Sequence, residues 1–134
     1  MGSWQMKRDM ELVRDILLKT EALVPDATLE PKAFGEDYDP VVAEHVRWLE
    51  EAGYIRASLI NVEGVGYPVQ FEVFRLTWEG ADFLDVVRDA KVWKHTKSTL
   101  VHAGGWTMDL IKDVAKAFIK DQLPMAAFLA GPSE

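Results

Sequence analysis

The fold turns on Trp48-Leu49-Glu50-Glu51-Ala52-Gly53-Tyr54-Ile55 and on the later phrase Arg75-Leu76-Thr77-Trp78-Glu79-Gly80-Ala81-Asp82-Phe83-Leu84. In the first, an amphipathic run meets Gly53, a residue that accepts the left-handed backbone of a helix stop, and a strand former follows. In the second, a strand ends on Thr77, whose hydroxyl can cap the free amides of a new helix. The β-rich runs 55–62 and 69–76 flank Glu63-Gly64-Val65-Gly66-Tyr67-Pro68, whose glycines suit a hairpin bend. Helix, two-stranded ribbon, helix is the cadence of a winged helix.

Working outward, Asp39-Pro40 is a start signal: Asp caps, and Pro at the first helical position loses nothing by lacking an N–H. The helix it opens is predicted over 40–52, with apolar rows Val42, Val46, Leu49 and Val41, His45, Trp48, Ala52. Its outer face is then Glu44, Arg47, Glu50 and Glu51. An earlier helix is predicted over 7–22, from Met6, Met10, Val13 and Leu17 at alternating four and three spacing. Residues 24–40 contain Pro25, Pro31, Gly35 and Pro40, which leave room for one short strand near 28–34 and at most a turn of the second helix of a helix-turn-helix.

After the ribbon, Val86, Ala90, Trp93 and Leu100 predict a single long helix over 78–102, with Trp78 a core anchor alongside Trp48 and Trp93. Gly104-Gly105 breaks the chain. Thr107 caps a last helix to about residue 123, with Trp106 placed to staple onto Ile111, and an apolar tail follows Pro124. The expected class is α+β: a winged helix-turn-helix-like core with a long helix after the wing and a C-terminal helix. Residues 1–5 read as a cloning remnant or short extension, 6–103 as the winged-helix-like domain, and 104–134 as a C-terminal helix and tail packed on the core or on a second copy. A homodimer through the long and C-terminal helices is expected.

With 134 residues and 49% apolar content, the chain is sized for one compact core. It has no cysteine, hence no disulfide, thiolate metal site or thiol nucleophile, and a cytoplasmic location is expected. No apolar run approaches the roughly 20 residues needed to span a bilayer. The net charge of −7 opposes general attraction to nucleic acid. Its distribution is uneven: residues 88–103 carry Arg88, Lys91, Lys94 and Lys97 against Asp89 alone.

The phrases Met6-Lys7-Arg8-Asp9-Met10-Glu11-Leu12, His45-Val46-Arg47-Trp48-Leu49, Gly53-Tyr54-Ile55, Arg75-Leu76-Thr77-Trp78-Glu79-Gly80 and Val92-Trp93-Lys94 resemble the family catalogued as domain of unknown function 2513. The resemblance runs over nearly the whole chain after residue 5. It implies a small bacterial, phage or prophage protein with a winged-helix-like core and no catalytic residues to carry over.

No metal or cofactor is expected. His95 and His102 stand two turns apart, about 10 Å at 1.5 Å per residue, and His45 lies on another helix. Adjacent carboxylates such as Glu36-Asp37 and Glu50-Glu51 diverge rather than flank a substrate. Gly64-Val65-Gly66 lacks the strand-to-helix setting of a phosphate-cradling loop. An enzyme is not expected. Candidate contacts to nucleic acid or a partner are His45, Arg47, Arg88, Lys91, Lys94 and Lys97, the last four keeping to one slowly drifting side of the long helix. Glu44, Glu50 and Glu51 form a candidate acidic face. The expected function is a DNA-associated regulator of mobile-element type. The alternative is an acidic phage protein that inhibits a host defence complex, such as a CRISPR-type one.

Overall fold

The computed structural model describes residues 7–103 and 106–123. Within them the chain is α+β: five α-helices, one 3-10 turn and a two-stranded antiparallel sheet. The Gly104-Gly105 break, the apolar tail after Pro124 and the N-terminal extension lie outside the described residues. The chain divides into two compact units, Met1–Leu84 and Asp85–Glu134.

In the first unit, α1 (Met10–Glu21) starts later than its apolar spacing suggests because Asp9 caps it, its side chain accepting from the amides of Glu11 and Leu12. Its stripe Met10, Val13, Ile16 and Leu17 is buried. The proline-rich connection gives Leu29, which exchanges two backbone hydrogen bonds of 2.9 Å with Val73, and then only a four-residue turn, Pro31–Phe34. Helix α2 (Pro40–Glu51) begins as Asp39-Pro40 predicts, with the Asp39 carboxylate on the Val41 amide. It ends at Gly53, whose φ of 84° lets Tyr54 N–H reach back to the Leu49 carbonyl at 2.9 Å.

Strands β1 (Ile55–Ile60) and β2 (Gln70–Leu76) pair antiparallel, slightly shorter than the runs that announce them. Ile55, Phe71 and Val73 bury on α1 and α2 together with Val42, Val46 and Leu49. These apolar side chains form the core of the unit, each contributing roughly 1.5–3 kcal/mol of transfer free energy.

Thr77 caps α3 (Trp78–Val87) as predicted, its hydroxyl accepting from Gly80 N–H at 3.1 Å. The buried row of α3 is Gly80, Phe83, Leu84 and Val87. Trp78 is off that row and stands 82% exposed, so it is not a core anchor. Gly80 is needed because the helix start presses on the backbone just before β1: a Cβ there would lie 1.9 Å from the Tyr54 carbonyl oxygen.

The single helix predicted over 78–102 is two. Asp89 adopts an extended ψ of 129° and caps α4 (Ala90–Leu100), its carboxylate accepting from the amides of Lys91 at 2.8 Å and Val92 at 3.1 Å. The buried positions step from Val87 to Val92, a gap of five that no continuous helix face allows. In the second unit, α5 (Met108–Gln122) is capped by Thr107 and packs on α4. Trp93 (4% exposed), Leu100, Ile111 and Ala115 bury in that unit. Trp106, expected to staple onto Ile111, turns to α4: its indole N–H donates to the Leu100 carbonyl at 3.1 Å and its ring stands edge-on to Trp93 at 6.5 Å.

Candidate nucleic-acid interface

Helix α2 is the element that would read a groove in a winged helix, and most of it is covered. Val42 to Val46 are five consecutive buried residues. His45, only 1% exposed, is a structural ligand rather than a contact at a surface edge. Its Nε2 accepts the Asp9 amide at 2.8 Å and its Nδ1 donates to the Val41 carbonyl at 2.7 Å, which fixes the Nδ1–H tautomer. Trp48 closes over it edge to face, 5.1 Å between centroids.

Glu44, expected on the outer face, is 3% exposed and pairs with Arg47. Arg47 also reaches the Gly66 carbonyl in the hairpin connection at 3.5 Å. The pair draws Arg47 inward as well, so the cation expected on the outside of α2 is largely neutralised there. Glu50 is half-buried and Glu51 exposed. They are what remains of the acidic face.

The hairpin connection is pinned by the Tyr38 hydroxyl, which donates to the Pro68 carbonyl. Partial burial pushes the Tyr38 phenol up, with Tyr67 and Asp39 adding to the shift. The connection offers no Lys or Arg between Asn61 and Val69.

The basic row is the other candidate. Arg88 precedes the Asp89 cap, so it is not on α4, and it pairs with Asp85. Lys97 is half-buried, with its Nζ 5.8 Å from the Trp93 ring centroid. Lys91 and Lys94 remain exposed, without an ion-pair partner among the described residues. The expected row of four is therefore a pair. His95 stacks on Phe118 at 4.1 Å and 19°, and His102 is exposed. Among the described residues no group of three or more His, Asp or Glu side chains is placed to hold a metal ion, and no helix is long and apolar enough to cross a membrane.

Of the side chains that a homodimer would cover, Trp93 and Leu100 are buried within the chain itself, while Phe118 and Ile119 of the α5 stripe are half-buried. Sequence reasoning missed the Asp9 cap and its clasp to His45, although Asp before an apolar-periodic run is a readable start signal.

Residues 7–106 match the family described as "Hypothetical protein (DUF2513)". The chain belongs to this family. It is also similar to an "Uncharacterized protein" of Haemophilus influenzae (strain ATCC 51907 / DSM 11121 / KW20 / Rd), 32% identical over 120 residues that cover 88% of this chain and 99% of that protein. No solved structure matches. The match to the family takes in α1 through α4 and stops at Trp106, before α5.

Proposed function

We propose that this member of the domain of unknown function 2513 family is a non-enzymatic, winged-helix-like protein of phage or mobile-element type that associates with duplex DNA, as a transcription regulator does. The observation that carries the reading is strand order. Leu29 bridges β2, β2 pairs with β1, and α1 and α2 pack on the ladder, with the turn Pro31–Phe34 in place of the middle helix of a helix-turn-helix. Shared architecture assigns no contact by itself. Charge supports one: Lys91 and Lys94 are exposed cations without an ion-pair partner among the described residues, whereas α2 has its Arg47 engaged by Glu44.

The test is fluorescence anisotropy of labelled duplexes, random and genomic, titrated across salt. Binding should weaken steeply with salt, and Lys91→Glu with Lys94→Glu should flatten the logarithmic slope by about two phosphate contacts. Flat anisotropy at low salt on every duplex overturns the proposal.

A second reading is favoured by one feature, the anionic end of α2 at Glu50 and Glu51 in a chain of net charge −7. An acidic protein-interaction factor, such as an inhibitor of a host defence complex, would set that end against a basic protein groove. Its mark would be co-purification of a basic host protein, lost on Glu50→Lys with Glu51→Lys; retention of the partner by that variant sinks it.

A further inference from the structure

The outward face of the hairpin breaks three ordinary rules of sheet construction at one place. Its register slips between Arg56 and Ala57: Arg56 opposes Arg75 while Ala57 opposes Val73, which makes Phe74 the extra residue of a β-bulge. Burial follows the slip, alternating along β2 as far as Val73 and then leaving Phe74 and Arg75 both exposed. The bulge thus aims a ring and a guanidinium to the same side.

Like charges directly across an antiparallel ladder repel, with Cβ atoms about 5 Å apart. Arg56 and Arg75 stand in that relation. The chain has 22 carboxylates for 15 Lys and Arg, yet among the described residues none pairs with either arginine. Among the described residues Arg75 donates to the Leu76 carbonyl, at 3.1 Å, and to no carboxylate. By contrast Lys19, Arg47 and Arg88 each have a carboxylate.

Large apolar rings are exposed in the same stretch, Phe74 at 46% and Trp78 at 82%. Trp78 follows Thr77, whose amide bonds to the Tyr54 carbonyl at 3.1 Å, so α3 starts beside the end of the strand that carries Arg56. The four side chains belong to one unit, the one that does not contain Lys91 and Lys94.

We propose that Arg56, Phe74, Arg75 and Trp78 form a binding site for single-stranded nucleic acid. The exposed rings receive unpaired bases, and the guanidiniums pair with the phosphates between them. Each half of the site narrows the ligand. Uncompensated cations call for an anion, which an acidic peptide supplies as well. Bare aromatic faces call for planar groups, and only a strand with unstacked bases repeats both at short intervals. A duplex hides its base faces in the stack. The site is independent of the duplex-binding reading above and stands or falls separately.

The test uses the full chain and labelled oligo(dT), oligo(dA) and oligo(U) of about 15 nucleotides, a length in the range of known single-strand sites, followed by anisotropy and by quenching of tryptophan fluorescence. Trp78→Ala should weaken binding about tenfold, the size expected for one base–aromatic stack. Arg56→Glu with Arg75→Glu should abolish it, and Lys91→Glu with Lys94→Glu should leave it unchanged. Trp78→Phe should retain binding and lose most of the quenching. The altered side chains are solvent-facing, so thermal melts should match the parent and separate lost contact from lost fold. Absence of single-strand binding at low salt, indifference to both corner variants, or competition by poly-glutamate equal to that by oligo(dT) each overturns the proposal. Duplex binding that fails while single-strand binding persists removes the earlier reading alone.

Discussion

The His45 ring fastens the start of α1 to α2: Asp9 N–H donates to Nε2 at 2.8 Å, from a residue that also caps α1 through its carboxylate. One side chain thus orders a helix 36 residues away in sequence. His45→Ala leaves the Asp9 amide without its acceptor and opens a void beside Trp48, so it should cost about 2–3 kcal/mol. Urea unfolding with an unchanged midpoint would contradict this.

Gly80 and Tyr54 set a second prediction. The missing Cβ is what lets α3 start against the Tyr54 carbonyl, so Gly80→Ala must push a backbone apart and should destabilise by about 3 kcal/mol or more. Gly66→Ala meets open space and should change stability by less than about 0.5 kcal/mol. Thermal melts of the two variants side by side make the comparison.

Glu44 and Arg47 should behave as a unit. Glu44 Oε1 and Arg47 Nε are buried without a hydrogen-bond partner among the described residues, so the pair is not ideally satisfied. Arg47→Met alone strands the Glu44 carboxylate and should cost about 3 kcal/mol, while Glu44→Leu with Arg47→Met should recover most of it. A double-mutant cycle from denaturant curves reads the coupling; additive effects would refute it.

Tyr38 gives a pH dependence with a definite sign. Its phenol is raised in the folded chain, foremost by burial, and its neutral form donates to the Pro68 carbonyl. The unfolded phenol titrates near its ordinary value of about 10, so above that pH the unfolded state sheds its proton first and stability falls until the folded group titrates too. Below pH about 10 the contribution is fully present. Tyr38→Phe should remove this part of the alkaline loss, as measured by unfolding midpoints across the alkaline range.

What the sequence reveals here is what is decided locally. Asp39-Pro40, Gly53, Thr77 and Thr107 announce helix ends because a cap needs only its own next few amides. The break at Asp89 is of the same kind but was masked by apolar residues, Val86, Ala90 and Trp93, that keep an approximate helical spacing across it. Burial is a different matter. Glu44 is drawn in with Arg47, whose guanidinium reaches the distant Gly66 carbonyl, His45 is fixed by the Asp9 amide from the start of α1, and Trp78 falls off the buried row of α3. For the candidate interface, spacing put Lys91 and Lys94 on the exposed side of α4, but it did not show that Lys97 lies against the Trp93 ring or that Asp85 holds Arg88. The corner at Arg56 and Arg75 was invisible, since a cross-strand pair depends on register, and here a bulge sets the register.

The bridge from Leu29 to Val73 also bears on the edges of the sheet. Leu29 meets the outer edge of β2 at Val73 and β1 pairs with its inner edge, while the outer edge of β1 carries no strand among the described residues. That rim is six residues long and begins with a charged Arg56 one position in. A short, charge-bearing rim is a poor template for strand stacking between molecules, and crowding the chain at high concentration should favour dispersed protein over fibrils.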